Sequence, residues 1–208
     1  MNSKPLFIVI EGLDGSGKST AAKVLAEALG KSFPKKIKHT YEPNDPCCAG
    51  GYIREVLAKK ITAFHHRTLA LAYAANRLDH CDRVVAPWLE KGRGHFVICD
   101  RYYLSSLVYQ SRDGLSFADV MRLNELALRP DIIFFLNVGN EVCAQRIKKR
   151  NEPLELFEEN LEGTRQMYFE AIRFLEKERG ENIVEIDGNG TVEETVAQML
   201  EALMKMGT

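Results

Sequence analysis

The chain has 208 residues, enough for one substantial core, and its 45% hydrophobic and 27% charged content is that of a folded protein rather than a disordered one. With 28 basic against 29 acidic residues the net charge is -1, which argues against a protein built to grip nucleic acid but leaves room for a local anion site. No apolar run is long enough for a signal peptide or a membrane span. Cys47, Cys48, Cys81, Cys99 and Cys143 form no C-x-x-C pair, so reduced thiols and a cytoplasmic protein with no membrane partner are expected.

In chain order, the first strand is expected from Leu6 to Ile10. It runs into Gly12-Leu13-Asp14-Gly15-Ser16-Gly17-Lys18-Ser19-Thr20, with a helix from Lys18 to Leu29 behind it. A second strand spans Ile37 to Tyr41, followed by an irregular stretch, Glu42 to Gly51, and a helix from Tyr52 to Lys60. One long helix is expected from Arg67 to Glu90, then a strand from Phe96 to Cys99. A helix from Phe117 to Leu128 precedes the fourth strand, Ile132 to Asn137, and a helix from Glu141 to Arg150 follows it. Beyond the irregular Asn151 to Asn160 come a helix from Leu161 to Arg179 and a strand from Ile183 to Ile186. Thr191 and Glu194 then form a capping box at the head of a helix from Val192 to Met206. Short continuous apolar strands alternating with helices predict a single α/β domain over 1–208: a five-stranded parallel sheet flanked by helices on both faces.

The segment from Gly12 to Ser19 matches G-x-x-x-x-G-K-[ST] in its required place between strand and helix. The glycines let successive backbone N–H groups point at phosphate oxygens, and the helix offers them the positive end of its dipole. Lys18 adds a point charge at the β- and γ-phosphates, and the Ser19 hydroxyl can ligate Mg2+. Such a loop alone leaves ATPase, GTPase and small-molecule kinase open. No N-K-x-D guanine-reading motif is present and the chain is too short for a motor, which favours a kinase by elimination. Asp100 should project from the carboxyl edge of a central strand, where it could hold Mg2+ through water, and Arg101 beside it suits a phosphate. Arg146, Lys148, Lys149 and Arg150 make a basic helix end, and a lid at about 146–160 could bring that charge to a transferring phosphoryl group.

Four segments together resemble the thymidylate kinases, within the P-loop nucleoside-monophosphate kinases. They are Glu11-Gly12-Leu13-Asp14-Gly15-Ser16-Gly17-Lys18-Ser19-Thr20, Tyr41-Glu42-Pro43, Tyr73-Ala74-Ala75-Asn76-Arg77, and Asp100-Arg101-Tyr102 with Ser105, Ser106 and Tyr109 behind it. The resemblance implies a three-layer P-loop kinase fold, ATP as phosphoryl donor, Mg2+, dTMP as acceptor and a homodimer. It implies that Tyr73 stacks on thymine with Pro43 across the slot, that Arg77 contacts the base, and that Ser106 is the polar base reader. It further implies that Arg101 holds the acceptor phosphate, Tyr109 lies under the sugar, and Asp14 sits near the 3'-hydroxyl. The phosphate loop carries no arginine, so the transfer charge is expected from Arg146 and Arg150. Two alternatives stay open. A deoxynucleoside kinase or other nucleoside-monophosphate kinase would share the fold, with Glu11 as proton acceptor in the nucleoside case. A non-enzymatic nucleotide-binding switch module would bind ATP without an acceptor.

Overall fold

The computed structural model describes residues 4–44, 48–149, 156 and 160–207. Its centre is β1 (Leu6–Gly12), every residue of which is buried. Successive side chains of a strand point to opposite faces, so Phe7 and Val9 enter one core while Leu6, Ile8 and Ile10 enter another. Both faces are covered, and this is why the strand reads as an unbroken apolar run.

Around β1 lie β2 (Ile37–Tyr41), β3 (Phe96–Asp100), β4 (Ile132–Asn137) and β5 (Ile183–Asp187). The order across the sheet is β2-β3-β1-β4-β5, and all four pairings are parallel. The register sets Ile10 opposite Asp100 and Gly12 opposite Leu136. The chain leaves β1 for one side of the sheet and fills the other side later, so a crevice opens beyond the carboxyl ends of β1 and β3, where α/β sheets collect ligands.

The helices are α1 (Lys18–Ser32), α2 (Gly50–Leu57), α3 (His66–His80), α4 (Ala86–Leu89), α5 (Tyr103–Gln110), α6 (Phe117–Leu123), α7 (Asn140–Lys149), α8 (Leu161–Arg179) and α9 (Val192–Lys205). On one face of the sheet α1 and α9 bury Ala21, Leu25, Val196 and Met199 against the strands. On the other, α5 and α8 bury Leu104, Leu107, Tyr168 and Leu175. The Thr191–Glu194 capping box at the head of α9 is formed as expected.

Three expectations for the helices need correction. The run expected from Arg67 to Glu90 is α3 followed by a π-helical turn at Cys81–Val85 and then α4. Pro87 near the start of α4 has no N–H for the carbonyl four residues back, and the widened turn accommodates that loss. The helix expected from Phe117 to Leu128 stops at Leu123, where the Asn124 side chain donates to Val120 O (2.8 Å) and competes with the backbone ladder. The third correction is α5, for which no helix was expected. All eight of its residues are buried, so it lacks the one-sided apolar period that marks a surface helix.

Candidate functional site

The loop after β1 turns through Gly15 (φ 78°) and Gly17 (φ 89°), backbone positions that favour glycine. At Gly15 a Cβ would also collide with the Cys143 carbonyl of α7. Gly17 caps α1 without any side-chain hydrogen bond, so the first N–H groups of the helix are left for an anion. Ser16 Oγ is buried in the same loop and finds no partner among the described residues. Lys18 is 6% exposed; its Nζ donates to Leu13 O (3.1 Å) and to Asp14 Oδ1 (3.2 Å).

Asp14 joins the two halves of the site, because it also accepts from Arg101. Burial works to raise its carboxyl, but the Arg101 and Lys18 charges outweigh that and hold it well below the usual carboxylate range. Arg101 adopts the left-handed backbone conformation (φ 68°) at the end of β3. Its side chain donates to Ser105 Oγ (2.9 Å) and Tyr168 Oη (3.2 Å) and lies 5.4 Å from the centre of the Tyr109 ring.

Glu11 is fully buried, and its role could not be read from sequence. Its carboxylate accepts from the N–H of Tyr102 (2.8 Å) and of Ser105 (3.0 Å), and from Ser105 Oγ (2.6 Å). Tyr102 makes no side-chain cap for α5, so a carboxylate distant in sequence supplies the cap instead. Burial raises the Glu11 carboxyl above the usual range against the opposing pull of Arg101 and the bonds from Ser105 and Tyr102. Glu11 is thereby engaged with the head of α5, not presented to a sugar hydroxyl as the nucleoside-kinase alternative requires.

Ser19 Oγ donates to Asp100 Oδ2, and Asp100 Oδ1 is buried without a partner among the described residues. A hydroxyl beside a carboxylate with an unmet oxygen is a donor set that fits Mg2+, which takes few protein oxygens and keeps several waters.

Beside Arg101 opens a cleft. Asp14, Pro43, Tyr73, Arg77, Ser106 and Tyr109 line it, so every acceptor-side candidate from the sequence converges there with Arg101. Sequence reasoning missed Arg54, Leu57 and Gln110 on the same walls. Arg54 NH2 donates to Pro43 O (3.0 Å), an interaction without a local sequence signal; Gln110 stands one helical turn after Ser106, a spacing that could have flagged it. The Glu42–Pro43 peptide bond is cis. Asn76 holds the chain beyond it by accepting from Asn44 N (2.7 Å) and donating to Asn44 O (2.9 Å) and Cys48 O (2.8 Å). Arg77 is less open to a ligand than its place on the helix implied: Nε donates to Glu42 Oε2 (2.7 Å) and NH1 to Asn124 Oδ1.

A second cleft lies across the phosphate loop, between Gly17 and Thr20 on one side and Gly188 and Gly190 on the other. Arg146 stands at its edge, donating to Ser16 O (3.0 Å). Lys148 and Lys149 are exposed. Arg150 and most of the segment expected to form a lid lie outside the described residues.

A family model described as thymidylate kinase matches residues 10–199. The chain is 37% identical over 203 residues to a probable thymidylate kinase of Pyrococcus abyssi, covering 96% of this chain and 95% of that one. It is 35% identical over 211 residues to a thymidylate kinase of Caldicellulosiruptor saccharolyticus, covering 97% and 98%. The crystal structure of a thymidylate kinase from Ehrlichia chaffeensis shares the fold, with a TM-score of 0.69 at 23% identity over 96% of this chain and 98% of the other. The chain belongs to the thymidylate kinase family and is a kinase acting on dTMP.

Proposed function

We propose that this dTMP kinase moves the γ-phosphoryl group of Mg2+-bound ATP onto the phosphate of dTMP, giving dTDP, by positioning and charge neutralisation without a general base. An acceptor phosphate oxygen is already anionic, so no proton has to be removed before attack. The observation that carries this reading is the Asp14 carboxylate shared by Lys18 and Arg101, one on the phosphate loop and one on the acceptor cleft. The two cations that would hold the two phosphates thus face the same point between the clefts.

In this reading the loop from Gly12 to Thr20 and Lys18 hold the triphosphate, while Ser19 and Asp100 hold Mg2+, which supplies charge neutralisation. Arg101 orients the acceptor phosphate, fixed in turn by Ser105 and Tyr168. Pro43 and Tyr73 take the base between them, Arg77 bounds the slot, and Tyr109 underlies the deoxyribose. Arg146 adds positive charge from the donor side, and Arg150 is assigned the same task from its place in the sequence. The same reading makes the enzyme a cytoplasmic homodimer. In support of the dimer, Leu71 of α3 is 55% exposed and Leu126 is 78% exposed, apolar surface that a second copy would cover.

ADP release with dTMP, dUMP, UMP, CMP and thymidine as separate acceptors tests the reading. Turnover is expected to be highest with dTMP; preference for thymidine would transfer the chain to nucleoside phosphorylation, and absence of acceptor-dependent turnover would overturn the kinase mechanism.

A further inference from the structure

The peptide group that follows Pro43 is gripped at both of its polar atoms. Its carbonyl oxygen, Pro43 O, accepts from Arg54 NH2 of α2 (3.0 Å), and its N–H, on Asn44, donates to Asn76 Oδ1 of α3 (2.7 Å). Asn76 Nδ2 in turn donates to Asn44 O (2.9 Å) and Cys48 O (2.8 Å), so one side chain, 1% exposed, ties down both residues. An amide suits this task because it accepts at one atom and donates twice from the other. A carboxylate could take the Asn44 N–H but would then face two carbonyl oxygens. Tyr73 stands three residues before Asn76 on α3 and, like Pro43, lines the acceptor cleft. The helix that carries one wall of the slot therefore also holds the other wall in place through Asn76.

We propose that Asn76 is a positioning residue that fixes the gap between Pro43 and Tyr73, and with it a preference for a planar acceptor base over a puckered one. The inference rests on the reading that this cleft holds the base of dTMP. The pyrrolidine ring locks φ at Pro43, so the torsion left to move that wall is ψ, and this is the one that Arg54 and Asn76 hold through the following peptide. A flat pyrimidine slides between two walls fixed in place. Saturating its C5–C6 bond makes two ring carbons tetrahedral, puckers the ring and lifts the 5-methyl group out of its plane, while N3–H and both carbonyls stay as they were. The resulting discrimination is one of thickness, not of hydrogen bonding.

The test compares dTMP and 5,6-dihydro-dTMP as acceptors for the native chain, Asn76→Ala and Asn76→Asp, with folding checked by circular dichroism. The native enzyme is expected to favour dTMP by roughly 10- to 100-fold in kcat/KM. Each substitution should raise KM for dTMP by about 10-fold, leave KM for ATP unchanged, and shrink that preference to a few-fold, because the freed wall yields to the thicker ring. A merely structural role would slow both acceptors alike and leave the preference intact. Equal use of the two acceptors by the native chain, or the full preference retained by either folded variant, overturns the assignment. If Tyr73→Ala raises KM for dTMP while the Asn76 variants behave as native, the slot stands and the Asn76 role falls. If none of these substitutions touches dTMP, the base lies elsewhere and both fall.

Discussion

Glu42 accepts the Arg77 Nε–H at 2.7 Å with both side chains almost wholly buried. Its other oxygen lies 3.1 Å from His80 Nδ1, so one carboxylate ties the turn before Pro43 to two successive exposures of α3. Burial alone would lower the Arg77 guanidinium, but Glu42, with Tyr102 and Cys81 beside it, more than reverses this and keeps it charged. Removing one partner of such a pair leaves the other as an uncompensated buried ion. Glu42→Ala should therefore lower stability by about 3–5 kcal/mol in urea unfolding. The double variant Glu42→Ala with Arg77→Met should recover part of that loss; equal losses in the single and double variants would contradict the coupling.

Asp14 makes stability depend on acid in a definite direction. Its folded pKa is depressed, so its contribution is complete above the ordinary carboxylate range near ~4 and is lost as pH falls toward the lowered value. Glu11 has the opposite sign: with a raised folded pKa it costs stability when ionised, and that cost disappears as pH falls through the raised value. Asp14→Asn should flatten the acid limb below about pH 4, and Glu11→Gln should remove a rise in stability on mild acidification. Chemical denaturation of the three proteins between neutral and acid pH measures both.

The Ser19–Asp100 contact should appear as a metal requirement. Ser19→Ala and Asp100→Asn are expected to move the Mg2+ dependence of turnover to at least ~10-fold higher concentration while the KM for dTMP changes little. An unchanged Mg2+ titration in both would remove them from the metal site.

Arg146 is seated on the phosphate loop through Ser16 O, so its loss should be felt in transfer and not at the base slot. Arg146→Ala should lower kcat by roughly 10- to 1,000-fold with a near-native KM for dTMP. Steady-state kinetics with each substrate varied in turn decides this, and a native kcat would assign the charge elsewhere.

Much of the frame was legible before any coordinates. All five strands were readable because each is short and carries β-branched or aromatic residues, and β1, β3 and β4 are apolar on both faces. The phosphate loop was readable because glycine torsions, helix start and lysine are all local properties of nine or ten consecutive residues. The acceptor candidates, by contrast, came from resemblance, and what the structure adds is their convergence on one cleft.

The rest depended on which surfaces dock. α5 was hidden because burial on every side erases the period by which a helix announces itself. Glu11 meets the head of α5 across 91 residues, and Arg77 meets Glu42 across 35 and Asn124 across 47. Such pairings are set by the sheet order, which brings β1 beside β3 and α3 over the turn after β2, and no local pattern encodes them. The sequence by itself determined the strands and the phosphate loop, because their causes are short-range sterics and burial. Only the tertiary structure decided that Arg77 is largely committed to its neighbours while Gln110 Oε1 is buried in the cleft without a partner among the described residues, because satisfaction of a polar group depends on every element packed around it.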